Sequence, residues 1–449
     1  MKMIKISSII LVGAMLFNSS CKKTFYTDVN HNPNAPAVVT PATLLSTVEG
    51  SLGYSIGGNM SLYTSIFMQQ VNGIGNQAQA YNNYIFTGQD VDNLWANMYT
   101  SVMLNDNVLM QAADAKGYNV YSGVSRVLMA YSLQTTIDCW GKVPFSTAFQ
   151  GFGKLQPTYD DDQALYASIL KMCDSAIVFL KDSTPGALVP GAEDVIYGGS
   201  VDNWIKFAHA IKARIYMHQL SLSGTNAASA LAEIALSFSS NADNAVYKFG
   251  TASSANNAWY QFINQRAGYV SFATAGIATK LLASNDPRFT FMIDTTAANG
   301  SDNLAAYYGA PDAVTEFITY DELQFMTAEA LNSQSGSISA IQAAYQSGIM
   351  ASMQKLGVDA TSATAYISAN GTLTTANAKS KIANEEYIAL FLNPEAWTLW
   401  RRTGFPALVP TTTSSNIPRR LLYPQSEYSY NAANVPASTM YTTKIFWDK

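Results

Sequence analysis

The chain has 449 residues, of which 48% are apolar and 13% charged, with a formal charge of −5. That length and a mean hydropathy of +0.03 describe a folded protein with a large core rather than a disordered or fibrous one. A negative balance without a basic run argues against a phosphate backbone as partner, so no nucleic acid is expected.

Residues 1–20 read as a secretory signal. "MKMIKISSIILVGAMLFNSSC" places Lys2 and Lys5 before an apolar run from Ile9 to Phe17 and ends at Cys21. It is too short and wrongly flanked for a membrane span. The Ser19-Ser20-Cys21 ending resembles a bacterial lipoprotein cleavage site, with Asn18 standing where an aliphatic residue is usual. Cys21 is therefore the expected lipidation point, an unlipidated secreted protein being the alternative. Residues 21–40 are then a tether and 41–449 a single domain. Within the tether, Asp28, Asn30 and Asn32 alternate like the start of a calcium loop. Val39 fills the twelfth position and no glycine the sixth, so no metal is expected.

A first helix is expected from about Pro41 to Gly53, then others at Asp92–Ala115 and Ser122–Ile137. Asp160, Asp161 and Asp162 open the next, to Leu180, at its positive end. The clearest helix runs from Val201 to Leu222, with Trp204, Phe207, Ala208, Ile211, Ile215, His218 and Leu222 on one stripe. Ser200 is its N-cap and Gly224 lies just past its end. His218, on that stripe, reads as a hydrogen-bonded core histidine. Residues 239–270 break the period and read as a long functional loop rich in Asn, Ser and aromatic rings. Further helices are expected near 271–283, 319–332, 337–356 and 376–392, with at most a small hairpin of strand. Cys139 and Cys173 lie in apolar helical patterns and read as buried free thiols or one incidental bridge. "NPEAWTLWRRTGFP", Asn393 to Pro406, reads as a complete short helix. Asn393 is its N-cap, Pro394 its first residue and Gly404 its terminator, with Trp397, Trp400 and Arg401 facing inward.

No catalytic residues and no cofactor are expected. The three histidines form no cluster, and neither a nucleophile elbow nor a phosphate loop appears. Glu322 and Glu329 lie about 10 Å apart along one helix face and read as packing residues; Glu385 and Glu386 read as a solvated first turn. What the chain offers is aromatic rings among amides, in "QAYNNYIFTGQ" (79–89) and "NNAWYQFINQRAGY" (256–269). Sugars pack their C–H faces on such rings while Asn, Gln and Arg bond the hydroxyls. The candidate ligand-binding residues are Tyr81, Tyr84, Asn257, Trp259, Tyr260, Arg266 and Tyr269. On this reading Trp259→Ala weakens binding and leaves the melting temperature nearly unchanged.

Seven stretches, in order, resemble motifs of the SusD/RagB family of outer-membrane lipoproteins. They are "DVNHNPNAP" (28–36), "CWGKVPFSTAF" (139–149), "NWIKFAHAIKARIYM" (203–217), "NDPR" (285–288), "ITYDELQFMTAEA" (318–330), "EEYIALFLNPEAWTLWRRTGFP" (385–406) and "PRRLLYPQSEYSYN" (418–431). The resemblance implies a mainly α fold of tetratricopeptide-like helix pairs in a superhelix, with ligand loops. It implies a non-catalytic lipoprotein of the outer membrane that captures an oligosaccharide, or a peptide in some relatives. Its partner would be a SusC-like TonB-dependent transporter. Lys22-Lys23 stands where an acidic export signal would lie, so outward display is an implication of the family alone. A glycan hydrolase working through two carboxylates and a purely structural helical scaffold are the competing readings.

Overall fold

The computed structural model describes residues 39–182, 184–296, 303–411 and 416–448. The signal, Cys21 and most of the tether lie outside them. In Pro41–Ser55 the buried Leu44, Leu45, Val48 and Leu52 recur at spacings of three and four, the mark of a helix with one face in the core. The chain runs on through a wide turn, Ile56–Met60, into Ser61–Phe67. Gly88–Ala96 starts one turn earlier than its apolar pattern predicts. A reciprocal cap explains this: Asp90 Oδ2 accepts from the Thr87 N–H at 2.8 Å and the Thr87 hydroxyl at 2.6 Å. The helix continues through Asn97–Met103 and Leu104–Lys116.

Asn119–Trp140 is buried along almost its whole length because neighbours cover it on several sides. Leu104–Lys116, Asp162–Lys181 and Val201–His218 all pack on it. Tyr320–Ser333 and Ile338–Leu356 form a helical hairpin across residues 334–337, and Ala378–Ala389 packs on both. Pair stacks on pair into a mainly α, tetratricopeptide-like superhelix. Among the described residues the strands form two-stranded antiparallel pairs, more of them than one hairpin. The longest joins Ala245–Lys248 to Val314–Ile318.

Some expected boundaries move for identifiable reasons. Val201–His218 ends before Leu222, because the Gln219 side chain donates to the Ile215 carbonyl at 3.1 Å and Asn226 Nδ2 donates to the Gln219 carbonyl at 2.6 Å. These polar groups finish the helix, so Gly224 is not its terminator and Leu222 is 49% exposed. The three aspartates divide their work. Asp161 accepts from the Gln163 and Ala164 N–H groups, Asp160 from those of Phe145 and Ser146, and Asp162 from that of Phe446. Only the first is the helix cap.

The stretch from Asn393 behaves as a staple. Asn393 Oδ1 accepts from the Glu395 N–H at 3.0 Å, Pro394 already has helical dihedrals, and Gly404 is left-handed at φ 80°. The Arg401 guanidinium lies 4.0 Å from the Trp397 ring and 4.8 Å from Trp447, sandwiched by both. It also donates to the carbonyls of Asp138 (2.7 Å) and Arg419 (2.9 Å). Cys139 and Cys173 are buried and free.

Candidate ligand-binding site

Two adjacent glycines open the site. At Gly58 the backbone leaves helical geometry (φ −98°, ψ −114°), kinking the chain between Pro41–Ser55 and Ser61–Phe67. Gly57 lies so close to Val314–Ile318 that a Cβ would fall 2.0 Å from Thr315 Oγ1, so a side chain is excluded there. Across the kink stands Ala258–Gln265, a helix inside the stretch that reads as loop. Asn257 caps it, Oδ1 accepting from the N–H groups of Trp259 (2.8 Å) and Tyr260 (3.2 Å) while Nδ2 donates to the Ala313 carbonyl.

Between kink and helix lies a small pocket, partly open to solvent. Tyr54, which is 46% exposed, and Phe262 present rings to it; Asn59, Gln261, Gln265 and Arg266 bring amides and a guanidinium. Arg266 is the one charged side chain in the lining. Its guanidinium sits 5.4 Å from the Phe262 ring. Trp259 forms the floor and is 5% exposed. Its Nε1–H donates to Ser61 Oγ at 2.9 Å, and its ring meets Phe262 at 5.7 Å and Phe272 at 5.8 Å. The expectation that Trp259→Ala leaves melting unchanged is thereby reversed: the ring is part of the core.

The other candidates separate by burial. Arg266 is exposed, and Tyr260 and Tyr269 are half-buried. Asn257, Tyr81 and Tyr84 are buried. The Tyr81 hydroxyl donates to Asp90 Oδ1 at 2.9 Å, and its ring packs on Tyr63 (5.1 Å) and Phe86 (4.8 Å). Burial pushes its phenol pKa up. Tyr84 is left-handed at φ 57°, and its hydroxyl accepts from the Thr411 N–H. The two aromatic stretches are nevertheless stitched together. Asn72–Gly73 pairs with Val270–Ser271, and the Tyr269 carbonyl accepts from Ile74 and Gly75. Sequence reading missed Tyr54 and Asn59, whose signal is the Gly57-Gly58 pair inside an otherwise helical pattern.

The acidic residues weighed as chemistry are ion-pair partners, Glu322 buried and Glu329 partly so. Arg214 donates to both Glu322 oxygens at 2.8 and 2.7 Å, and Arg402 to both of Glu329 at 2.6 Å. Glu385 and Glu386 are not a solvated turn. They face the core from the last turns of Ala378–Ala389, Glu385 against Arg288 and Glu386 against Arg402.

Among the described residues, Asp138, His218 and Glu395 are the group whose ligand atoms could converge on a metal. Their atoms are already engaged. His218 bonds Tyr166 through Nδ1 and Glu395 through Nε2, each at 2.8 Å; Gln134 donates to Asp138, and Arg214 lies 3.6 Å from Glu395.

Burial lowers the His218 pKa from 6.5 to about 3, despite Asp138. The folded chain thus refuses a proton that the unfolded chain takes below pH 6.5. This contribution to stability is complete above pH 6.5 and is lost as pH falls toward 3. Asp138 and Glu395, whose carboxyls burial holds up, run oppositely, their protonated forms favouring the fold in acid. Imidazole NMR signals, assigned with His218→Gln, are expected to show His218 neutral at pH 5. A ring titrating near 6.5 contradicts the buried network.

A family model described as "Starch-binding associating with outer membrane" matches residues 33–424. Among solved structures, the chain is similar to a SusD/RagB family protein from Bacteroides thetaiotaomicron (24% identity, TM-score 0.76, 91% of this chain and 99% of that one). It is also similar to a chitin-binding protein (21%, 0.78, 91% and 100%). A third is a chitin-binding SusD homolog from Flavobacterium johnsoniae (18%, 0.75, 91% and 97%). No curated protein matches.

Proposed function

Because the chain belongs to the SusD/RagB family, we propose that it captures an oligosaccharide at the outer membrane and performs no chemistry on it. The observation that carries this reading is the pocket at the Gly58 kink, where Tyr54 and Phe262 supply ring faces and Asn59, Gln261, Gln265 and Arg266 supply hydrogen-bonding groups. Tyr269 packs behind this lining on Phe262, at 6.3 Å between rings, and neither it nor Tyr260 is part of the lining. Delivery to a SusC-like TonB-dependent transporter, attachment through a lipid on Cys21 and an outward-facing position complete the proposal. They are supported by the N-terminal sequence and by the family. The chitin-binding names of two structural relatives make chitooligosaccharides the first ligands to try.

Calorimetric titration of the full chain with chitooligosaccharides and maltooligosaccharides, with chromatography of the mixtures, tests it. Binding without shortened products is expected. Arg266→Ala, at an exposed position, is expected to weaken binding by about tenfold, the loss of a charge-assisted hydrogen bond, and to leave the melting temperature unchanged. Product release overturns the non-catalytic reading, and unchanged affinity moves the ligand off this pocket.

A further inference from the structure

A second, wider and more open cleft lies away from the kink, between the helices Gly276–Ala283, Ile338–Leu356, Ala360–Asn370 and Ala378–Ala389. Two lysines line it. Lys381 donates to the carbonyls of Asn370 (2.9 Å) and Thr372 (3.2 Å). Lys280 is half-buried, and no carboxylate among the described residues pairs with it. Elsewhere this chain treats lysines away from the surface differently: the partly buried Lys206 and Lys212 and the buried Lys355 each pair with a carboxylate at 2.6–2.8 Å. Burial without a partner pushes the Lys280 pKa down, the signature of an ammonium short of a counter-charge.

The acid in the cleft does not provide that charge. Glu385 is already held by Arg288 at 2.5 Å and by the Tyr366 hydroxyl at 2.7 Å. Ser284, Ser380 and Tyr345 bring hydroxyls to the lining, and its two amides each spend one of their two N–H groups within the protein. Asn384 Nδ2 donates to the Ser380 carbonyl at 2.6 Å, and Asn370 Nδ2 to that of Tyr366 at 3.3 Å. Each keeps its oxygen and one N–H to exchange hydrogen bonds with hydroxyl groups. A cation without a carboxylate partner beside amides and hydroxyls matches a molecule carrying one carboxylate and several hydroxyls.

We infer that this cleft binds a small hydroxylated carboxylate of the sugar-acid class, its carboxylate paired with Lys280. The site is separate from the pocket at Trp259 and stands whether or not that pocket binds glycan. Glucuronate, glucose and N-acetylaspartate are the probes, titrated into the full chain at low salt, where charge pairing is least screened. Glucuronate is expected to bind at least about tenfold more tightly than glucose, the scale of one charge-assisted contact. Lys280→Met, which keeps the apolar stem, is expected to remove that preference without changing the melting temperature, and Lys280→Arg to retain most of it. Arg266→Ala is expected to leave it intact. The inference is overturned by glucuronate binding that survives Lys280→Met or is abolished by Arg266→Ala, and equally by an absence of binding. N-acetylaspartate binding as tightly as glucuronate overturns the sugar-acid assignment.

Discussion

Arg288→Met is expected to destabilise the protein by about 3–5 kcal/mol, the scale of removing one partner from a buried ion cluster. Arg288 is 0% exposed. Its Nε and Nη2 reach both Asp286 oxygens at 2.6–3.1 Å, Nη2 also meets Glu385, and Nη1 donates to Ser352 at 3.3 Å. Its guanidinium lies 5.6 Å from the Tyr366 ring. Methionine fills much of the space but leaves two carboxylates in the core without their cation. Since folded domains hold only about 5–15 kcal/mol in reserve, the loss is a large share of the total. Denaturant titration at pH 7 measures it. The triple variant Arg288→Met, Asp286→Asn, Glu385→Gln is expected to recover part of the loss, because it removes the stranded charges as well. A single variant as stable as the wild type contradicts the cluster's role.

That cluster also shows where sequence reading stops. The "NDPR" motif is visible, but Glu385 lies 97 positions along the chain from Arg288, and nothing local distinguishes a buried glutamate from a solvated one. Glu386 meets Arg402 by the same long-range folding. Caps were legible where the capping residue adjoins its helix, as at Ser200 and Asn393. They were not where a side chain from the next element finishes the turn, as Asn226 does at Gln219. The strand Ala245–Lys248 was hidden for a related reason: its partner, Val314–Ile318, comes much later, and neither half alternates long enough to declare itself.

The site was half legible. The stretch 256–269 contributes Trp259, Gln261, Phe262, Gln265 and Arg266 to the lining of the pocket, while Asn257, Tyr260 and Tyr269 stay out of it. Composition indicates that rings and amides are together; it does not say which rings point outward. Tyr81 turns inward because Asp90, also a cap residue, offers its hydroxyl an acceptor. Conversely, Tyr54 is exposed at the end of an apolar helix, beside a kink whose shape depends on Gly58.

Trp259 joins the core to the pocket, so its variants separate the two. Trp259→Ala is expected to cost about 3–5 kcal/mol, the range for deleting a buried aromatic side chain. It also removes the donor that Ser61 Oγ accepts from and the surface on which Phe262 and Phe272 pack. Glycan affinity is expected to fall with it, because the helix carrying Gln261, Gln265 and Arg266 loses its seat. Trp259→Phe keeps a ring and forfeits one neutral hydrogen bond, worth about 1 kcal/mol. If Trp259 is a floor and not a stacking platform, this variant keeps its glycan affinity within about twofold, as calorimetry will show. A tenfold loss in Trp259→Phe, with near-normal stability, would return the indole to direct contact with the ligand.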